Sequence, residues 1–248
     1  MPSRADLDAA LARYPTALSL RAKASKQSAG LVDLDAWYRG ELREVVAERK
    51  KEDTGGEAEL TREELGKLML WKLARGKFRP RLHDLVLSNP SSLVQSTTSS
   101  ASTASPSGAL AQLSTLKGVG PATASAVLAL WHPDSEPFMS DEALENCECY
   151  EEGEEGRGKR DYTVKAWREF RTKMLERKEK EGWESVEELE KALWAWAVLR
   201  KYGTEEEETG EGEEEEKREE KRKKGKKRTS AAADKEPSKP ASKKRKST

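Results

Sequence analysis

Residues 113–130 read L-S-T-L-K-G-V-G-P-A-T-A-S-A-V-L-A-L. Leu113 and Leu116 approach a Gly118-Val119-Gly120 turn, and Val119, Ala124, Val127 and Leu128 leave it at helical spacing. The pattern predicts a helix, a tight glycine turn and a second helix. Gly118 and Gly120 have no Cβ, so they accept backbone angles closed to other residues and let another group come close. Pro121 suits the first turn of the second helix, where its missing N–H costs nothing. The turn then presents free N–H groups at a helix N-terminus. That is an anion site, and a nucleic-acid phosphate is its natural occupant. The competing reading is an ordinary helical hairpin that binds nothing.

The average composition hides two unlike parts. Of 248 residues, 37% are charged and 35% hydrophobic, with 46 Lys and Arg against 46 Asp and Glu. Residues 205–216 hold nine acids and no base, and residues 217–248 hold fifteen Lys or Arg against four acids. Residues 1–204 are therefore near neutral, with 31 basic and 33 acidic side chains, and all seven Trp lie there. A body of that length buries a sizeable core. The expectation is a helical domain over 1–204, with its hairpin at 109–130, and a disordered acidic-then-basic tail over 205–248. The basic clusters 221–228 and 243–246 suit nuclear import machinery or a loose nucleic-acid arm, which points to the nucleus. The bland alternative is a solubilising tail.

Cys147 and Cys149 are spaced too closely for a comfortable disulfide, and two thiols alone hold neither zinc nor an iron–sulfur cluster. With His83 and His132 scattered, no metal and no cofactor are expected. No apolar run approaches membrane-spanning length and the N-terminal residues show no signal-peptide core. A soluble, intracellular, monomeric protein is the expectation.

Along the chain, Ser3 and Asp6 resemble a capping box for a helix that Pro15 ends, and residues 20–30 read as loop. A helix is expected from about Asp33 to Lys51. Thr61 and Glu64 form a cleaner capping box. Its helix runs into W-K-L-A-R-G-K-F-R-P-R at 71–81. There Lys72, Arg75, Lys77, Arg79 and Arg81 interleave with Trp71 and Phe78, a composition suited to phosphate contact and base stacking. The alternative is a solvated helix end whose cations cap carbonyls or pair with acids. A short helix is expected at 85–87, a weak one near 91–100 and a loop at 102–108. Beyond the hairpin, P-F-M-S-D-E-A at 137–143 starts a helix at Ser140 or Asp141, and an exposed loop is expected at 147–159. Asp161 or Thr163 starts the next helix and Ser185 with Glu188 the last. With no alternating strand, the body is all-α, with roughly eight helices.

An all-α body carrying L-K-G-V-G-P-A-T-A-S-A-V-L and then an aspartate about twenty residues on resembles the helix-hairpin-helix DNA glycosylase superfamily. W-K-L-A-R-G-K-F-R-P-R, G-V-G-P-A-T-A-S and P-F-M-S-D-E-A more closely resemble an uncharacterised eukaryotic family remotely related to it. The resemblance covers about Asp33 to Tyr202. It implies a multi-helix glycosylase-like fold. It also implies a DNA phosphate held by Lys117, Gly118, Val119, Gly120, Ala122 and Thr123, with a monovalent cation at the hairpin. It further implies a base flipped into a pocket, and Asp141 as the acid that stabilises the cationic sugar. Three departures qualify it. Ala122 stands where bifunctional members carry a Schiff-base lysine, so lyase activity is not expected. The four cysteines of cluster-bearing members are lacking. Asp141 lies in F-M-S-D-E-A rather than V-D-x-H, and it or Ser140 is also a natural helix cap. Three functions follow as expectations: a nuclear DNA-binding domain, a monofunctional glycosylase of base excision repair, or a non-enzymatic scaffold recruited to chromatin or RNA.

Overall fold

Side-chain caps set many of the helix starts in this computed structural model, which describes residues 1–51, 56–147 and 162–203. Ser3 and Asp6 close a capping box on α1 (Arg4–Ala12), and Thr61 and Glu64 close another on α5 (Arg62–Arg75). Between them lie α2 (Tyr14–Lys23), a 3-10 turn at Lys26–Ser28, α3 (Leu31–Arg39) and α4 (Glu41–Arg49). Then follow α6 (Pro80–Leu87), α7 (Ser91–Ser102), α8 (Pro106–Leu113) and α9 (Pro121–Trp131). The described chain ends with α10 (Asp141–Asn146), α11 (Val164–Glu181) and α12 (Val186–Tyr202). These helices belong to a unit spanning Met1–Gly203. The described residues contain no strand, and none of their helices is long and apolar enough to cross a membrane. The tail at 205–248 and most of the expected loop at 147–159 lie outside the described residues.

Twelve α-helices stand among the described residues where about eight were expected, for local reasons. Pro15 does not stop a helix; it sits in the first turn of α2, where proline is favoured. The expected Asp33–Lys51 helix breaks at Gly40 into α3 and α4. The Ser- and Thr-rich run is a full helix because α7 turns Val94, Thr98 and Ala101 into the core, and Thr98 Oγ1 accepts the N–H of Leu60 at 2.9 Å. Pro106 then opens α8 inside the expected loop, with Ser105 as its cap. Cys147 is disulfide-bonded, against the expectation from the C-x-C spacing. It sits where the chain leaves the helical conformation at the end of α10, and Cys149 lies outside the described residues.

Helix α12 packs against α1, α2, α10 and α11, while α5 packs against α3, α6, α7 and α9. The two groups meet through a buried polar network. Arg75, 1% exposed on α5, donates to Glu190 of α12, also 1% exposed, at 3.1 Å. Asp35 of α3, 3% exposed, accepts hydrogen bonds from Trp71 Nε1 at 2.8 Å and Tyr14 Oη at 3.0 Å, and pairs with Arg39. Arg39 and Arg43 both pair with Glu187. Burial alone raises the pKa of Asp35. Arg39 and Arg75, with the Trp71 and Tyr14 hydrogen bonds, outweigh it and hold the carboxyl below its usual range. Glu187 is likewise lowered, with Arg39 and Arg43 overcoming its burial.

Breaking one partner of a buried pair leaves a charge stranded out of water. Glu190→Ala is therefore expected to destabilise the fold by about 3–5 kcal/mol, read as a lowered urea midpoint. Asp35 and Glu187 bind protons less readily folded than unfolded. Their stabilisation is present above the ordinary carboxylate range and is lost as pH falls through their lowered folded values. Urea midpoints measured down an acid series are expected to drop there, and less so in Asp35→Asn.

Candidate functional site

The hairpin forms as its sequence predicts: α8, a turn over residues 114–120, then α9. Leu113, Leu116, Val119, Ala124, Val127 and Leu128 are all buried. The two glycines have different reasons to be glycine. Gly118 has φ +79°, and a Cβ there meets Leu82 O, Leu85 Cβ and Val86 N, each at 3.0 Å. The turn thus lies directly on α6. Gly120 has extended backbone at φ −106°, and a Cβ there meets nothing within 4 Å. The fold does not require its bareness; what glycine leaves open is the space before the N-terminus of α9. The N–H groups of Gly120 and Ala122 find no partner among the described residues.

Asn89, buried just before α7, clamps this turn. Its Oδ1 accepts the N–H of Lys117 at 3.0 Å, and its Nδ2 donates to Lys117 O at 3.0 Å and to Val86 O at 2.8 Å. The carbonyls of Leu116, Lys117 and Gly120 are thereby already engaged, by Val119 N–H, Asn89 Nδ2 and the first N–H groups of α9 respectively. The turn does not present the open set of carbonyls that the monovalent cation implied by the resemblance requires. No group of three His, Cys, Asp or Glu stands ready for a metal among the described residues.

Three stretches far apart in sequence meet at one cavity of about 360 Å³. The end of α5 and the segment after it supply Lys72, Arg75, Lys77 and Arg79; the hairpin supplies Gly118, Gly120, Ala122 and Thr123; residues 138–142 close it, with Tyr162 beside them. The 138–140 segment is held from three sides. Ser125 of α9 accepts the N–H of Met139 at 3.0 Å, and Ser140 Oγ donates to Glu190 of α12 at 2.7 Å. Arg171 of α11 forks onto buried Glu136 at 2.6–2.7 Å.

The expected site residues divide. Lys77, Arg79, Arg81 and Lys117 are exposed, and all but Arg81 and Lys117 border the cavity. Trp71 cannot stack on a base: it is fully buried, stacked on Tyr38 at 3.8 Å and 5.1 Å from Phe138. Its indole supports the cavity wall from behind. Arg75 is not a solvent-facing cation either, because Glu190 holds it inside. Val119 turns its side chain into the core, so its part in any contact is its backbone. Thr123 is buried at the cavity edge. Lys72 is half-buried; burial, with Arg79 adding and Asp141 opposing, pushes its amine down to about 8.

Ser140 is the cap of α10, accepting the N–H of Ala143, which frees Asp141 from that duty. Asp141 accepts a 2.5 Å hydrogen bond from Tyr162 Oη and faces the cavity. Its neighbour Glu142 has Oε2 buried with no partner among the described residues, and burial pushes its carboxyl up to about 7. Asn89, Ser125, Tyr162, Glu142 and Glu190 all escaped the sequence reading as site residues. Each contact that matters is to a residue 14 or more positions away or to the cavity itself.

No family model, curated protein or solved structure matches the chain.

The glycines give a clean contrast. Gly118→Ala is expected to destabilise by about 1–3 kcal/mol, from its positive φ and the close approach of α6. Gly120→Ala is expected to change stability by less than about 0.5 kcal/mol. Thermal unfolding of the two variants checks both.

Proposed function

We propose that this chain is a nuclear DNA-binding protein with a helix-hairpin-helix, glycosylase-like body that removes a base without lyase chemistry. The observation that carries the reading is the convergence of the hairpin, the 71–81 cation run and the Asp141 segment on a single cavity. Its volume lies within the range of small-molecule sites, enough for one base turned out of the stack. In this reading the bare N-terminus of α9, with Lys117 beside it, receives a backbone phosphate. Lys77, Arg79 and Arg81 follow the same strand, fixing register without reading sequence. Asp141, oriented by Tyr162, places a negative charge where the sugar becomes cationic as the glycosidic bond breaks. Water completes the reaction. Ala122 offers no amine at the hairpin, which leaves hydrolysis as the outcome. The basic clusters at 221–228 and 243–246 would serve nuclear import.

The near-neutral charge of residues 1–204 favours a second reading, a helical scaffold recruited to chromatin or RNA by its tail.

The full-length chain, assayed near physiological salt to weaken the tail's non-specific binding, separates the two. Gly120→Leu is expected to weaken binding to a duplex about tenfold or more, since a side chain there fills the phosphate approach, with its melting temperature unchanged. Asp141→Asn is expected to abolish base release from a panel of damaged duplexes while duplex affinity holds. Duplex binding indifferent to Gly120→Leu, with no base released from any duplex, favours the scaffold.

A further inference from the structure

The cavity contains two buried polar groups that the fold leaves without partners. One is Glu142 Oε2. The other is the guanidinium of Arg75: its Nη1 pairs with Glu190, but its Nε and Nη2 find no acceptor among the described residues. Buried polar atoms are normally satisfied, and an exception inside a cavity indicates a ligand that satisfies it. Both residues border the same cavity, and Arg75 is 1% exposed. Each is close enough to influence the other's charge.

We propose that Glu142 is a second catalytic residue, the acid that protonates the departing base, and that with Arg75 it selects a purine bearing an oxygen at C6. The inference rests on the reading of the cavity as a base site. Arg75 Nη2 and the Glu142 O–H are both donors, and the N7 and O6 edge of such a purine presents two acceptors side by side. Glu142 gives its proton to the ring nitrogen. As the bond from C1′ to the base nitrogen breaks, its electron pair leaves with the base. Asp141 holds the cationic sugar, and water adds its oxygen at C1′. The proton that water sheds restores the Glu142 carboxyl. The net change is hydrolysis: one water consumed, one N–H and one C–OH formed.

The neighbouring carboxylates have different environments, which suits them to different roles. Burial raises the Glu142 carboxyl to about 7, with Asp141 and Glu190 raising it further and Arg75 opposing. It therefore carries its proton below neutrality. Lys72, pushed down to about 8, titrates over the same range and must be separated from it.

The test measures binding, so that no bond need break. The full chain is titrated with a duplex carrying one hypoxanthine nucleotide on a 2′-fluoro sugar, which resists cleavage. Matching duplexes carry uracil or no lesion. The quantity read is the affinity for the lesion duplex relative to the unmodified one. A proton that leaves with a value near 7 makes this preference fall up to about tenfold between about pH 6 and about pH 8. Glu142→Gln keeps a donor and Lys72 but cannot titrate, so its preference is expected to be the same at both pH values. Glu142→Ala is expected to lose most of the preference at both. With a cleavable hypoxanthine duplex, Glu142→Gln is expected to slow base release about a hundredfold or more. A lesion preference that ignores pH, keeps its pH dependence in Glu142→Gln, or is confined to uracil overturns the role of Glu142 and leaves the base site standing. Absence of any preference for a lesion duplex at either pH overturns both.

Discussion

The ion pair between Arg75 and Glu190 is the contact on which the rest of the molecule turns. It joins α5 to α12, the central helices of two groups that otherwise pack mostly among themselves. Two charges out of water are tolerable only as a pair with their remaining atoms satisfied. Glu190 meets this condition by accepting from Ser140 as well. The same carboxylate therefore ties the two helix groups together and fixes the cap of α10. Arg75 does not meet it, and its spare donors border the cavity. An interior element of stability and an unfinished binding surface are thus one side chain.

Behind the pair, the network continues through Trp71 to Asp35, Tyr14 and Arg39. The stack of Tyr38, Trp71 and Phe138 carries it to the cavity wall, and Tyr38 Oη donates to Ala126 O of α9 at 2.7 Å. The hairpin helix, the cation run and the 138–142 segment are consequently positioned by one set of interior contacts. The cavity is narrow and specific in its lining because its walls are side chains of the core and of its immediate neighbours, not of free-standing loops.

The hairpin was legible because its rules are local: apolar spacing, two glycines and a proline within a dozen residues. The capping boxes at Ser3 and Thr61 were legible for the same reason. Trp71 misled because aromatics among cations look alike whether they face water or core. Its spacing of four from Arg75 places both on one face of α5, but which face is buried is decided by Asp35 and Glu190, far away in sequence. Asn89 was invisible in the same way, since its partner Lys117 is 28 positions on. Pro15 and Gly40 altered the helix count because a proline marks a start as readily as a stop. Asp141 was found by spacing alone. Its freedom from capping became visible only once Ser140 took that role.

The clamp between Asn89, the turn and α6 bears on how the hairpin meets a ligand. With Lys117 held at both its N–H and its carbonyl, and Gly118 lying against α6, the turn cannot swing independently. The loss of conformational freedom falls on folding and not on association. Such a rigid contact gathers its ligand by shape from the outset, with dissociation, not rearrangement, setting how long the complex lasts.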